Sequence, residues 1–383
     1  MDKLENRLDY YDGFRGIAAM FVVLCHLSMV FFQQFFYIEQ ASTTLQKIWI
    51  KSPLNIINNG DFSVQYFFVL SGFMITRKIY LTCKRGQYKM SSPFATYKKL
   101  LMITVPSILF SFFLMKMGGM KHIELSKLSG IFPAAYEYNN FKPNFFEALF
   151  ESVILVFFKS SKYVGPLWSI KIEFIGSILI SAFAFYDNTI NETGKKKYYY
   201  LIGTAVFLPL HYYISSFFLG AFVFDVIYNM EVEHTVIDRV IRKAMSNKYV
   251  NVVVWIVGLY LACINTSCTG MWSVFTVLQN VNPVVRAVGI AICIMQLYRS
   301  KKIQKLLSGR VIMKLGKLSP YIYAIHWPII LSLGAYVYIA IYLKTDYANV
   351  IAAVVSIGVT IMLSILYYNC VSVLKLKWNE KRK

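Results

Sequence analysis

Long apolar stretches, broken by short polar and basic segments, recur from one end of the chain to the other. A helix needs about 20 apolar residues to cross a hydrocarbon core of about 30 Å. On that criterion the pattern predicts ten membrane spans, at about 13–35, 62–80, 97–115, 168–186, 198–210, 214–229, 250–266, 281–298, 318–342 and 349–372. The expected fold is all-α: one polytopic helical bundle over residues 1–383, with no appended soluble domain. Spans five and six are short and form a hairpin around His211-Tyr212-Tyr213. Residues 145–158 are apolar too, with Glu147 and Glu151 one helical turn apart. Fourteen residues rise only about 21 Å, too little to cross. This segment is expected to be an interfacial or re-entrant helix in an outer loop, 116–167.

Composition agrees with the pattern. The chain is 57% hydrophobic and 15% charged, against about 45–50% and about 25% in soluble domains. The first apolar stretch lacks a small-residue cleavage site and continues into Phe31-Phe32, so it reads as an anchor helix and not a removed signal peptide. A net charge of +21 invites a nucleic-acid reading. The distribution of charge argues against it. With the N-terminus cytoplasmic, 29 of the 40 Lys and Arg fall in or beside cytoplasmic segments and nine in outer loops. This is the positive-inside bias, and it places both termini in the cytoplasm. Clusters such as Lys195-Lys196-Lys197 are expected to meet anionic lipid. The six cysteines show no metal-binding spacing. Cys263 and Cys268 flank an outer loop, either as a disulfide in an oxidising compartment or as two small apolar residues.

A few polar residues interrupt the apolar runs. Arg15 and His26 are eleven residues apart in span one. Eleven residues turn about 1,100°, about 20° beyond three full turns, so both share one face about 16 Å apart. Arg15 lies at the membrane edge, where a guanidinium holds phosphates or simply marks topology. His26 lies about 20 Å from the cytoplasmic edge, where an ionisable group is costly unless partnered. It is either a catalytic group or a histidine hydrogen-bonded across a helix interface. Ser71-Gly72 in span two suits close helix packing, and no base stands at a helical neighbour of Ser71. Trp168 fits an interfacial aromatic belt. Glu173 either orients His26 or pairs with Lys171 or Arg286. His326 lies about 12 Å from the cytoplasmic edge, and Pro328 beside it frees a backbone carbonyl.

These landmarks together resemble the acyltransferase-3 family of integral membrane acyltransferases. The Asp12–Ala18 stretch with His26 matches its opening, with Leu8 displaced; Phe67–Phe73 matches without a change. Leu167-Trp168-Ser169 with Glu173, and Ser319, Tyr323, His326 and Pro328, match two later segments, and Phe218-Leu219-Gly220 is similar to the sixth span. Phe174 stands where a second Glu is usual, and Ile103 where an Arg before Pro106 is usual. The resemblance implies transfer of an acyl group, by default acetyl, from cytoplasmic acyl-CoA to a hydroxyl of a surface or lipid-linked glycan, in a bacterial cytoplasmic membrane. It implies catalytic roles for His26 and Glu173. Arg15, Arg77, Lys78, Lys98 and Lys99 would hold the donor phosphates, and Asp61, Trp168 and His326 the acceptor. It implies no metal. Two other readings use the same residues or composition: a relay passing acyl groups to a separate extracytoplasmic transferase, and a transporter. The transporter reading lacks the repeated halves it needs.

Overall fold

A computed structural model describes residues 8–87, 89–190, 196–232, 239, 243, 247–264, 270–274 and 282–380. Among the described residues it is helical, with no strand. The helices are α1 (Asp9–Phe31), α2 (Thr44–Ile50), α3 (Gly60–Lys84), α4 (Pro93–Lys116), α5 (His122–Ser129), α6 (Phe145–Val153), α7 (Ser169–Ile190) and α8 (Lys196–Phe207). They continue as α9 (Tyr212–Val232), α10 (Lys248–Ala262), α11 (Asn282–Arg299), α12 (Lys301–Leu307), α13 (Arg310–Ile329), α14 (Ala335–Ile341) and α15 (Ala348–Glu380). A helix overlies each of the ten expected spans. Among the described residues, five stretches are long and apolar enough to cross a membrane: Asp9–Phe31, Pro93–Lys116, Gly165–Asn188, Arg310–Ile341 and Ala348–Leu374. The apolar helices Tyr198–Phe207 and Lys248–Ala262 are shorter. Cys263 is buried and free, while Cys268 and Lys195 lie outside the described residues.

The chain divides into two compact units, one of residues 1–14, 51–97 and 172–313, the other of 15–50, 98–171 and 314–383. In the first, α3 packs along α9. Two glycines make this crossing: a Cβ on Gly72 would lie 2.0 Å from the Phe217 carbonyl oxygen, and one on Gly220 would lie 1.9 Å from that of Val69. Each helix therefore presses backbone into the notch of the other, the close approach that small residues permit. The α8–α9 hairpin turns just before Tyr212, as the hydrophobic pattern predicts.

In the second unit, α1 lies against α13. A Cβ on Gly16 would meet the Gly316 nitrogen at 2.5 Å, so only glycine lets the two helices come this close. Two prolines interrupt the hydrogen-bond ladder of α13, and serines repair it. Pro320 leaves the Gly316 carbonyl without its usual N–H, and Ser319 Oγ donates to it at 2.9 Å. Pro328 does the same to Ala324, whose carbonyl accepts from Ser107 Oγ of α4 at 2.5 Å. A π-helical turn, Ile330–Gly334, follows directly.

Segment 145–158 forms no helix long enough to cross a membrane. It is a nine-residue helix followed by a short 3-10 turn. One face shows Phe146, Leu149, Phe150 and Phe158 outward. The other is pinned by Glu151, which accepts from Ser161 Oγ at 2.5 Å and from the Lys162 and Tyr163 backbones at 3.1 and 3.3 Å. Burial raises the Glu151 carboxyl above its ordinary value although these donors oppose the shift. Glu147 pairs with Lys162, which also lies 4.4 Å from the centre of the Phe141 ring.

Candidate functional site

His26 and His326, 300 residues apart, meet inside the second unit. His26 Nδ1 lies 2.8 Å from His326 Nε2. The ring centres are 5.0 Å apart and the planes differ by 23°. Subtracting the 2.8 Å bond from 5.0 Å leaves about 1.1 Å on each side, roughly a ring radius, so the imidazoles meet edge to edge along a lone pair. His326 is fully buried, and its Nδ1 lies 3.1 Å from the Ile322 carbonyl one turn back. His26 is only half-buried.

The two helices bring these rings to one depth. Counted from the start of α1 at Asp9, His26 is 17 residues along; counted from the start of α13 at Arg310, His326 is 16. Those steps rise about 26 and 24 Å. The expected difference between about 20 and 12 Å is not met: Gly16 of α1 faces Gly316 of α13, and each histidine lies ten residues further along its helix.

Aromatic groups enclose the pair. The Trp327 ring centre lies 4.8 Å from that of His26, and Tyr138 packs against Trp327 at 5.0 Å. Behind them the Tyr323 hydroxyl donates to the Pro166 carbonyl at 2.5 Å and lies 2.8 Å from Ser169 Oγ. Ser169 and Tyr323 thus join two of the short sequence segments noted above. Sequence reasoning singled out neither for a site, although both stand in those segments. Trp327 was likewise missed; its indole N–H is buried and has no hydrogen-bond partner among the described residues.

In the first unit Ser71 Oγ donates to both oxygens of Glu173, at 3.0 and 3.2 Å, and Ser177 Oγ to one of them at 3.4 Å. The carboxylate that Ser71 lacks on its own helix arrives from α7. Arg286 does not pair with Glu173. Its guanidinium lies 3.3 Å from Asp61 and donates to the Ile264 carbonyl at 3.1 Å. This arginine is buried and Asp61 half-exposed, so the pair keeps one member near water.

The cationic residues lie toward helix ends. Arg15, Arg77 and Lys98 are half-buried, Lys78 and Lys99 exposed. Trp168, half-buried, ends the 3-10 turn Gly165–Trp168 that leads into α7. Among the described residues there is no group of three His, Cys, Asp or Glu able to hold a metal ion. A family model described as an acyltransferase domain matches residues 8–369. No curated protein and no solved structure matches the chain.

Proposed function

The chain belongs to the acyltransferase-3 family and is a membrane acyltransferase acting on groups other than amino-acyl groups; from that premise we propose that it moves an acyl group, by default acetyl, from cytoplasmic acyl-CoA to a hydroxyl of a surface or lipid-linked glycan. The membrane concerned is the bacterial cytoplasmic membrane. The bundle has ten spans with both termini inside, and α6 lies at the outer interface with its phenylalanines in lipid.

The observation that carries this reading is the placement of His26. It sits deep on α1, partly accessible, with one ring nitrogen engaged by His326 and Arg15 on its own face three turns toward the cytoplasm. An anionic donor held at Arg15 would direct its thioester arm up that face. Arg77, Lys78, Lys98 and Lys99 add cationic character for its phosphates. In the reaction His26 takes the proton of the acceptor hydroxyl while that oxygen bonds to the thioester carbonyl carbon. The carbon–sulfur bond then breaks, and the departing thiolate recovers the proton from His26. Asp61 and Trp168 offer polar and aromatic surface to a saccharide.

The test is reconstitution of the purified protein in lipid nanodiscs with acetyl-CoA and a lipid-linked oligosaccharide, followed by mass spectrometry for an added acyl mass. Transfer without another protein is expected. His26→Ala should abolish it with donor binding retained. Arg15→Ala should weaken donor binding, measured by calorimetry, more than Arg15→Lys does. Transfer that appears only when a second, extracytoplasmic protein is added would favour a relay and overturn direct transfer.

A further inference from the structure

We infer that His326 is a positioning residue that fixes the tautomer of His26, so that Nε2 of His26 is the basic atom. The inference rests on the reading of His26 as the base. It follows from the direction of two hydrogen bonds. The Ile322 carbonyl can only accept, so His326 Nδ1, 3.1 Å away, carries a proton and donates it. A neutral imidazole has one N–H, so His326 Nε2 presents a lone pair. The group facing it at 2.8 Å, His26 Nδ1, must then be the donor. That leaves the lone pair of His26 on Nε2. This atom makes no hydrogen bond among the described residues and is not sealed from solvent.

The chain of bonds thus runs from His26 Nδ1–H to His326 Nε2, and from His326 Nδ1–H to a backbone carbonyl. It does for His26 what a buried carboxylate does for the histidine of a hydrolase triad: it selects the tautomer and holds the ring. A second imidazole does so without placing a permanent charge deep in the bundle, where charge is costly. When His26 Nε2 accepts the hydroxyl proton, the Nδ1 proton can shift toward His326 Nε2, so the new positive charge is shared between two rings of the same intrinsic basicity. The proton returns by the same path when the thiolate leaves. The buried position of His326 keeps it from contact with solvent, and its role is exercised through His26.

The experiment uses protein labelled with nitrogen-15 at its five histidines, in nanodiscs, with the His26 signals assigned by their loss in His26→Ala. The wild-type spectrum should show His26 protonated at Nδ1 and pyridine-like at Nε2, the reverse of the form free histidine prefers. His326→Leu should return His26 to that ordinary form. It should lower kcat by about a hundredfold or more, leaving KM for acyl-CoA within threefold. His326→Gln places an acceptor oxygen near the lost Nε2 and should recover part of kcat. A wild-type His26 protonated at Nε2 overturns the inference, and that measurement stands even if the leucine variant does not fold. Full activity in His326→Leu overturns it as well. If instead His26→Ala remains active, the reading of His26 as the base fails, whatever the tautomer.

Discussion

Two polar pairs, one in each unit, show how the same problem of a polar group among apolar helices is solved to different ends. Glu173 is met by Ser71 and Ser177, hydroxyls that donate to its oxygens. His26 is met by His326 at one nitrogen, while the other nitrogen has no partner among the described residues. The serines spread their support over an acceptor with several lone pairs; the Ser71 bond ties α3 to α7, and the Ser177 bond stays within α7. The histidine pair holds one edge of a ring and leaves the opposite edge for another molecule. Glu173, gripped by donors from two helices, is placed as a joint; His26, with one nitrogen open, is placed as the working part of the proposed reaction.

The comparison breaks first at His26. His26→Gln keeps a polar side chain of similar size but loses the base, so transfer should fall by a hundredfold to ten-thousandfold, with the detergent melting temperature little changed. If activity survives in His26→Gln and only stability falls in His26→Ala, the histidine is a joint as well. The second contrast is read from Ser71 and Glu173. Interhelical hydrogen bonds in membranes are worth about 0.6 kcal/mol on average and at most about 1.7. Ser71→Ala, Glu173→Gln and the double variant should give a coupling energy of that size by denaturant unfolding, with transfer reduced several-fold and not abolished. A loss of transfer in Glu173→Gln as deep as in His26→Gln would make the carboxylate a working part.

A third histidine sharpens the contrast. His122, in α5, is buried and donates from Nε2 to the Tyr138 carbonyl at 2.9 Å. Burial lowers its proton affinity below the ordinary value of 6.5. On acidification through 6.5 the unfolded chain therefore gains a proton that the folded chain refuses, and stability falls toward the lower folded value. The slope from this group is at most about 1.4 kcal/mol per pH unit. His122→Gln should flatten that component of the melting profile between pH 7.5 and 5.5. An unchanged profile would show that His122 is not the group responsible.

Helices were the legible part of this molecule, because apolar runs long enough to span a membrane leave few alternatives. The short helix within residues 145–158 was readable from the length of its apolar run. Helix ends were less so: α13 extends back through Lys314 and Lys317 to Arg310, polar residues that hydropathy assigns to a loop. That error in one boundary displaced the expected depth of His326 and hid its pairing with His26. The partner of Ser71 was illegible for a different reason. Periodicity reports neighbours on one helix, and Glu173 comes from another. Ser107 was silent too: nothing local to α4 announces that its hydroxyl completes the ladder of α13 at Ala324.

The 300-residue separation of His26 and His326 also bears on time. Chains are synthesised at about 5–20 residues per second, so about 15–60 s pass between the appearance of the two rings. If His26 is the base, α1 exists during that interval without the neighbour that would select its reactive nitrogen. A nascent or truncated chain therefore carries every residue of the first helix yet lacks the ordered base. On that reading activity would arrive only after α13 has been made and inserted. A base assembled in this way would tie the onset of chemistry to a late stage of biosynthesis.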